Sequence, residues 1–255
     1  MGTITLLTDF GEKDPYAGIM KGVILGIDPS ACIVDITHKV GPQDIREAAF
    51  LVDEYYRYFP KGTVHVVVVD PGVGGDRRPI IVSRNGHHFV GPDNGVFTFI
   101  ADAASEIRVI ENRNFMLPSI SSTFHGRDIF APAAARLARG FYPFAFGRQV
   151  TDPVVLTGLN PVADGSTLHG EVVRFDNFGN ALTNIRTGTF RSFTKGHTFE
   201  ITIGGLSFTS IDRTYCANEF TCLAGSAGFI EFGVFQGNFE ERTGTHKGDP
   251  VTVRI

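Results

Sequence analysis

The period of the apolar positions changes part-way along the chain, and the change predicts two domains. Through residues 1–150, β-branched runs alternate with stretches of helical spacing. Thr3–Thr8 is a short apolar run ending at Asp9. Asp14-Pro15 offers an N-cap with proline in the first helical position. Ile19, Met20, Val23, Ile24 and Ile27 then recur at helical spacing until Asp28-Pro29 stops them. Residues 32–36 are the next strand. Gly41-Pro42 opens a second helix, whose Ile45, Ala48, Ala49, Val52, Tyr55, Tyr56 and Phe59 form one apolar face before Pro60 ends it. The run 64–69 is what a strand covered on both faces of a parallel sheet requires. Strands near 80–83 and 87–90 follow, then a third helix from Asp128 to Arg139, stopped by Gly140. This alternation predicts an α/β domain with a central, mainly parallel sheet flanked by helices.

Residues 151–165 carry Pro153, Gly158, Pro161 and Gly165 without helical period and read as a linker. From 166 to 255 only strand-like segments recur, at 170–175, 198–203, 220–224, 229–235 and 251–255. Short strands at such intervals predict a smaller all-β, barrel-like domain.

Composition narrows the functional classes. The chain has 255 residues, 42% hydrophobic and 20% charged, with a net charge of −4. That balance builds in no general attraction to nucleic acid or to an anionic membrane. No apolar run approaches the ~20 residues of a membrane helix. No basic segment precedes Thr3, and Leu6 stands where a myristoylation motif needs Ser or Thr, so a cytoplasmic location is expected. Cys32, Cys216 and Cys222 form no CxxC pair and read as small buried hydrophobes. Thirty glycines point to many tight turns, which suits a strand-rich protein.

Candidate chemistry gathers at strand ends, where open parallel sheets bind ligands. Asp9, Asp70 and Asp93 each follow a predicted strand, and Asp35 with His38 lies in or after another. The loop Asp70-Pro71-Gly72-Val73-Gly74-Gly75-Asp76-Arg77-Arg78 lacks the GxxxxGK[ST] signature of a phosphate cradle. Its glycines suit close approach to an uncharged or cationic ligand. Arg77 and Arg78 are neighbours, so one is expected at a site and the other as a solvated charge. His125 sits in a turn beside Gly126, and Asp128 reads as an N-cap. Asp176 to Asn184 reads as a polar hairpin turn that could also read an adenine or an amino acid. A metallohydrolase built on Asp9, Asp70, Asp93 and His125 is a competing reading, although HExxH spacing is absent.

The run LLTDFGEKDPYAGIMKG from Leu6 to Gly22 resembles the opening of the S-adenosyl-L-methionine hydroxide adenosyltransferases, relatives of fluorinase and chlorinase. The likeness continues through Ile33 to His38, Pro42 to Ile45, Phe59 to Val64, Val69 to Gly74, Val90 to Gly95, Thr123 to Asp128 and Asp176 to Asn184. It implies hydrolysis of S-adenosyl-L-methionine to adenosine and L-methionine by water, without metal or cofactor. The family's catalytic triad falls on Asp70, Arg77 and His125. Asp9 matches the ribose-binding carboxylate, and Asp14 and Tyr16 the following substrate contacts, with Phe124 and Gly126 beside the triad histidine. Asp176 and Asn180 match groups for the methionine end and the base or ribose. Tyr215 resembles the aromatic that stacks on adenine, and Ser226, Glu231 and Val234 fall on adenine-contacting segments. Gly225 departs from the usual Asn, and Phe232-Gly233 from the usual Ile-Ala. The resemblance also implies a homotrimer, with substrate between the N-terminal domain of one subunit and the C-terminal domain of the next. A halogenase is the nearest alternative, but the short segment between Ile80 and Gly91 leaves no room for the fluorinase insertion. A non-catalytic binding protein is the other.

Overall fold

The computed structural model describes residues 2–255, which form two compact units that divide between Leu156 and Thr157. In the first, strands β1 (Thr3–Thr8), β2 (Cys32–Thr37), β3 (Val64–Val68), β4 (Pro79–Arg84), β5 (His87–Pro92) and β6 (Glu106–Val109) make one sheet in the order β2-β1-β3-β5-β4-β6. The first four strands of that order run parallel; β4 and β6 are antiparallel to their neighbours. The sheet is therefore mixed. Its β6 was not legible in the sequence, because four residues alternating buried and half-buried give almost no period to read.

Helices cover both faces. Helix α1 (Tyr16–Ile27) and helix α3 (Ala131–Ala138) pack on one face, where Met20, Ile24, Ala134 and Leu137 meet Ile4, Leu6, Val64 and Val66. Helix α2 (Ile45–Tyr55) covers the other, placing Ala48 and Val52 against Leu7, Val67 and Val82. Asp44 caps α2 by accepting from Glu47 N–H at 2.7 Å, a contact worth about 1 kcal/mol. Helix α1 starts one residue later than expected. Pro15 is its N-cap, and its carbonyl accepts from Ile19 N–H, so the Asp14 carboxylate is not spent on the helix.

The second unit is an antiparallel sheet in the order β11-β10-β14-β8-β9-β13-β12, with β7 also paired to β8. Its strands are β7 (Val162–Asp164), β8 (Thr167–Phe175), β9 (Ala181–Arg186), β10 (Glu200–Ile203), β11 (Leu206–Phe208), β12 (Phe220–Ala224), β13 (Phe229–Val234) and β14 (Pro250–Arg254). A bridge between Asp212, just past β11, and Leu223 of β12 brings the two ends of that order together, which makes the sheet barrel-like. Its interior is filled by Val172, Ile185, Ile201, Phe232, Phe239 and Val253. Two short helices, α4 (Thr187–Thr194) and α5 (Phe239–Thr243), lie in this supposedly all-strand region. The Gly and Thr content of α4 masked its period. Cys222 is buried as expected, but Cys32 and Cys216 are exposed. Among the described residues, no helix is long and apolar enough to cross a membrane.

One buried polar chain runs through the first unit. His65 is fully buried in β3; its Nδ1 bonds Thr5 Oγ1 at 2.9 Å and its Nε2 bonds His87 Nδ1 at 3.2 Å. Burial, then the neighbouring His87 and His88, push the His65 pKa down to about 3. The imidazole is thus neutral in the fold but protonates in the unfolded chain below about pH 6.5. Stability is full above that pH and falls as pH drops toward 3. Between pH 7 and pH 5 the His65 contribution should fall by about 2 kcal/mol. Denaturant midpoints at the two pH values test this, with His65→Gln expected to flatten the dependence.

Candidate active site

Strands β1, β3 and β5 are adjacent in the first sheet, and an aspartate follows each at its carboxyl end: Asp9, Asp70 and Asp93. A cavity of about 280 Å³ opens there, lined by Asp9, Gln43, Asp70, Phe124, His125 and Gly126 among others. Arg77 joins the cluster from the side. Its Nε donates to Asp70 Oδ1 at 2.9 Å and Oδ2 at 3.0 Å, and its Nη2 donates to Oδ2 as well. The same Nη2 donates to His125 Nδ1 at 2.7 Å. The guanidinium also lies over the Phe130 ring, 5.5 Å from its centroid. Asp70 and His125 thus line the cavity, and Arg77, which does not line it, joins the two.

The tautomer of His125 follows from this contact. A guanidinium has donors and no acceptor, so Nδ1 must accept and the neutral ring carries its proton on Nε2. Burial first, and Arg77 second, lower the His125 pKa, with Asp70 and Asp128 opposing. The ring is neutral near pH 7, a hydrogen-bond donor through Nε2, and its lone pair is already occupied. Among the three, only Asp70 has acceptor capacity to spare.

Two glycines explain how the segments come together. Gly74 adopts φ 79°, and a Cβ there would overlap the Ser122 carbonyl. The loop from Asp70 to Arg77 thus lies backbone to backbone on the segment that leads into His125. Gly74 therefore serves approach to the protein's own chain. Gly126 is crowded by Met20, whose sulfur would be 3.1 Å from a Cβ, and by Phe124 and Phe10. The residues Gly126–Phe130 form one turn of π-helix leading into α3, a device common at functional sites.

Two neighbours of the trio behave differently from expectation. Asp128 is not an N-cap: fully buried inside the π turn, it accepts from Ser121 N–H at 2.8 Å and from Arg127 Nε at 2.6 Å. Arg78 is not a solvated charge: its Nε donates to Asp93 at 2.7 Å and its Nη1 to Asp152 at 2.7 Å. Asp93 is thereby committed to Arg78 and does not line the cavity.

Of the remaining expected residues, Tyr16 packs edge-on to Phe10 and Phe124, with centroids 5.7 and 5.2 Å away. Asp14 is exposed and does not line the cavity. The Asp9 carboxylate accepts from Gln43 N–H at 2.8 Å. Gln43 was missed in the sequence. It sits at φ 65° in the Gly41-Pro42-Gln43-Asp44 turn, where a non-glycine residue costs about 1 kcal/mol or more.

The second unit holds a cavity of about 450 Å³, lined by Phe178, Asn180, Tyr215, Val234, Gln236 and Gly237. It gathers three of the expected residues: Asn180, Tyr215 and Val234. Tyr215 donates its hydroxyl to Glu231; burial first, and this contact second, raise the phenol pKa. Glu231 is buried behind that tyrosine and does not line the cavity. Gly225 and Gly233 have matching causes. A Cβ on Gly225 would overlap the Glu231 carboxylate, and one on Gly233 would fall 2.9 Å from the Tyr215 ring. Asp176 Oδ1 accepts from Phe178 and Asn180 N–H at 2.8 and 2.9 Å, and Oδ2 accepts from Asn180 Nδ2 at 2.9 Å. Its carboxylate shapes its own hairpin. Ser226 is exposed in the turn between β12 and β13 and lines neither cavity. Gln236, also missed, lines this cavity at φ 51°.

Family models describe both halves. Residues 4–147 match the SAM hydroxide adenosyltransferase N-terminal domain, and residues 170–252 match its C-terminal domain. The chain belongs to the SAM hydroxide adenosyltransferase family. A Thermus thermophilus protein named (R)-S-adenosyl-L-methionine hydrolase is 36% identical, over 99% of this chain and all of the relative. One of the same name from Methanocaldococcus jannaschii is 35% identical over 92% of this chain and 89% of its own. A fluorinase from an Actinoplanes species is more distant, at 26% over 71% of each. The crystal structure of an uncharacterized conserved Thermotoga maritima protein superposes with a TM-score of 0.90 at 36% identity, covering 99% of this chain and 100% of that one. The trio thus lies within the family's N-terminal domain and the Tyr215 cavity within its C-terminal domain.

Proposed function

We propose that this chain hydrolyses S-adenosyl-L-methionine to adenosine and L-methionine. Water attacks C5′ in line with the sulfonium, the C5′–S bond breaks, and its electron pair stays on sulfur as a neutral thioether. Such a leaving group needs no general acid, metal or cofactor. What remains is to place the water and take its proton. Asp70 and His125 on one cavity, held together by Arg77, carry the reading. Asp70 accepts the proton. His125, with its proton on Nε2, donates a hydrogen bond to the oxygen, and Arg77 offsets the developing negative charge. The names of the hydrolase relatives support the same reaction. A carboxylate at the nucleophile position also repels halide, which favours water over a halogenase reaction.

The 280 Å³ cavity is small against the roughly 300–1,000 Å³ of ligand sites. It suits the ribose and sulfonium, with Asp9 on the ribose hydroxyls, Phe124 and Gly126 around them, Tyr16 packed behind Phe124, and Asp14 reaching the substrate from outside the cavity. We assign adenine and methionine recognition to Asn180, Tyr215, Ser226 and Val234 of a neighbouring subunit in a homotrimer, with Asp176 and Glu231 bracing Asn180 and Tyr215. The deciding experiment supplies S-adenosyl-L-methionine in oxygen-18 water. Label in the 5′-hydroxyl of adenosine is expected. No adenosine, unlabelled adenosine, or a 5′-halo-adenosine when chloride or fluoride is present would overturn the reading. Sedimentation at three times the chain mass is the expected result for the assembly.

A further inference from the structure

We propose that the turn Asp93-Asn94 sets the separation of Asp70 and Arg77, and that Asp93, Asn94 and Arg78 are positioning residues for the reaction. The inference rests on the function proposed above and concerns residues outside its cavity. The loop carrying Asp70 and Arg77 has two stems, and adjacent residues of one turn grip both. Asn94 Nδ2 donates to the carbonyl of Val69, the residue before Asp70, at 2.9 Å. Asp93 N–H donates to the carbonyl of Arg78, the residue after Arg77, at 2.8 Å. The Asp93 carboxylate then accepts from Arg78 Nε at 2.7 Å and Nη2 at 2.6 Å. The Asp93 side chain is 2% exposed, so its carboxylate is desolvated and held in a fixed geometry by the two guanidinium donors.

The same turn also holds the end of the first unit. Asp93 Oδ1 accepts from Val154 N–H at 2.9 Å, and Arg78 Nη2 donates to the Asp152 carbonyl at 2.7 Å. Leu156 N–H donates to Thr98 Oγ1 at 2.9 Å, and that hydroxyl donates to the Gly95 carbonyl at 2.6 Å. One short turn therefore fixes both the glycine-rich loop and residues 152–156. Between its stems the loop contains Gly72, Gly74 and Gly75, whose backbone freedom would blur the carboxylate–guanidinium geometry if the stems were loose. Arg77 must stay at the proper distance from both Asp70 and His125, and the bracket supplies that constraint.

The test compares Asn94→Ala and Asp93→Asn with the unaltered full chain, after thermal melts show both folded. The KM for S-adenosyl-L-methionine should stay close to the unaltered value while kcat falls on the order of 10- to 100-fold. The titration of His125, followed by NMR, should move upward, because a looser Arg77 repels the imidazolium less; Asp70 and Asp128 are the other charges facing that ring. A purely structural turn would lower the melting temperature and leave the titration where it was. Folded variants with unaltered kcat and titration would overturn the proposal. If either variant does not fold, Arg78→Lys, which keeps a charge opposite Asp93 but loses the fork, is read by the same criteria. The titration needs no turnover, so an unaltered chain that releases no adenosine refutes the proposed function while the bracket is still judged.

Discussion

Replacing Asp70 by Ala should lower kcat roughly a thousandfold while S-adenosyl-L-methionine still binds, as general-base and electrostatic groups elsewhere contribute on that scale. Asp70 is the acceptor left once Arg77 has occupied His125 Nδ1. Without it, the water keeps its proton and the guanidinium loses a doubly hydrogen-bonded partner. Asp70→Asn preserves shape and removes the charge, so it should lose nearly as much. Isothermal titration and single-turnover kinetics separate the two effects. An equal loss of binding and turnover would make Asp70 a structural residue.

Gly74→Ala should lower turnover about a hundredfold, although residue 74 lies outside the proposed trio of Asp70, Arg77 and His125. An alanine at φ 79° costs roughly 1–2 kcal/mol by itself, and its methyl would meet the Ser122 carbonyl. The loop would have to lift from the segment that carries His125. Gly62→Ala isolates the strain, since Gly62 has φ 88° but open space around it. That variant should lose comparable stability and keep its rate. A Gly74→Ala enzyme as fast as Gly62→Ala would refute the packing argument.

Much of the fold was legible because its signals are local. The β-branched run in β3, the proline stops and the aspartates at strand ends all lie within a few residues of what they control. What escaped has distant causes. Arg78 read as a solvated charge because its partner Asp152 lies 74 positions away. Asp128 looked like a cap because the Ser121 N–H it binds is placed by a preceding bend, not by spacing. The choice between Arg77 and Arg78 rested on resemblance, and the structure supplies its physical reason: one faces Asp70 and the other Asp93. Gln43 was hidden for another reason: its left-handed turn ordinarily calls for glycine or asparagine.

The π turn after Phe124 holds one residue more than a regular helix would need over the same rise. A residue occupies ~100° of helical arc. Deleting Ile129 to regularise the helix would therefore swing the imidazole about a quarter-turn around the axis, away from the guanidinium. The spacing between Phe124 and Ala131 is for that reason a fixed length. Insertion or deletion there should silence the protein even when it still folds.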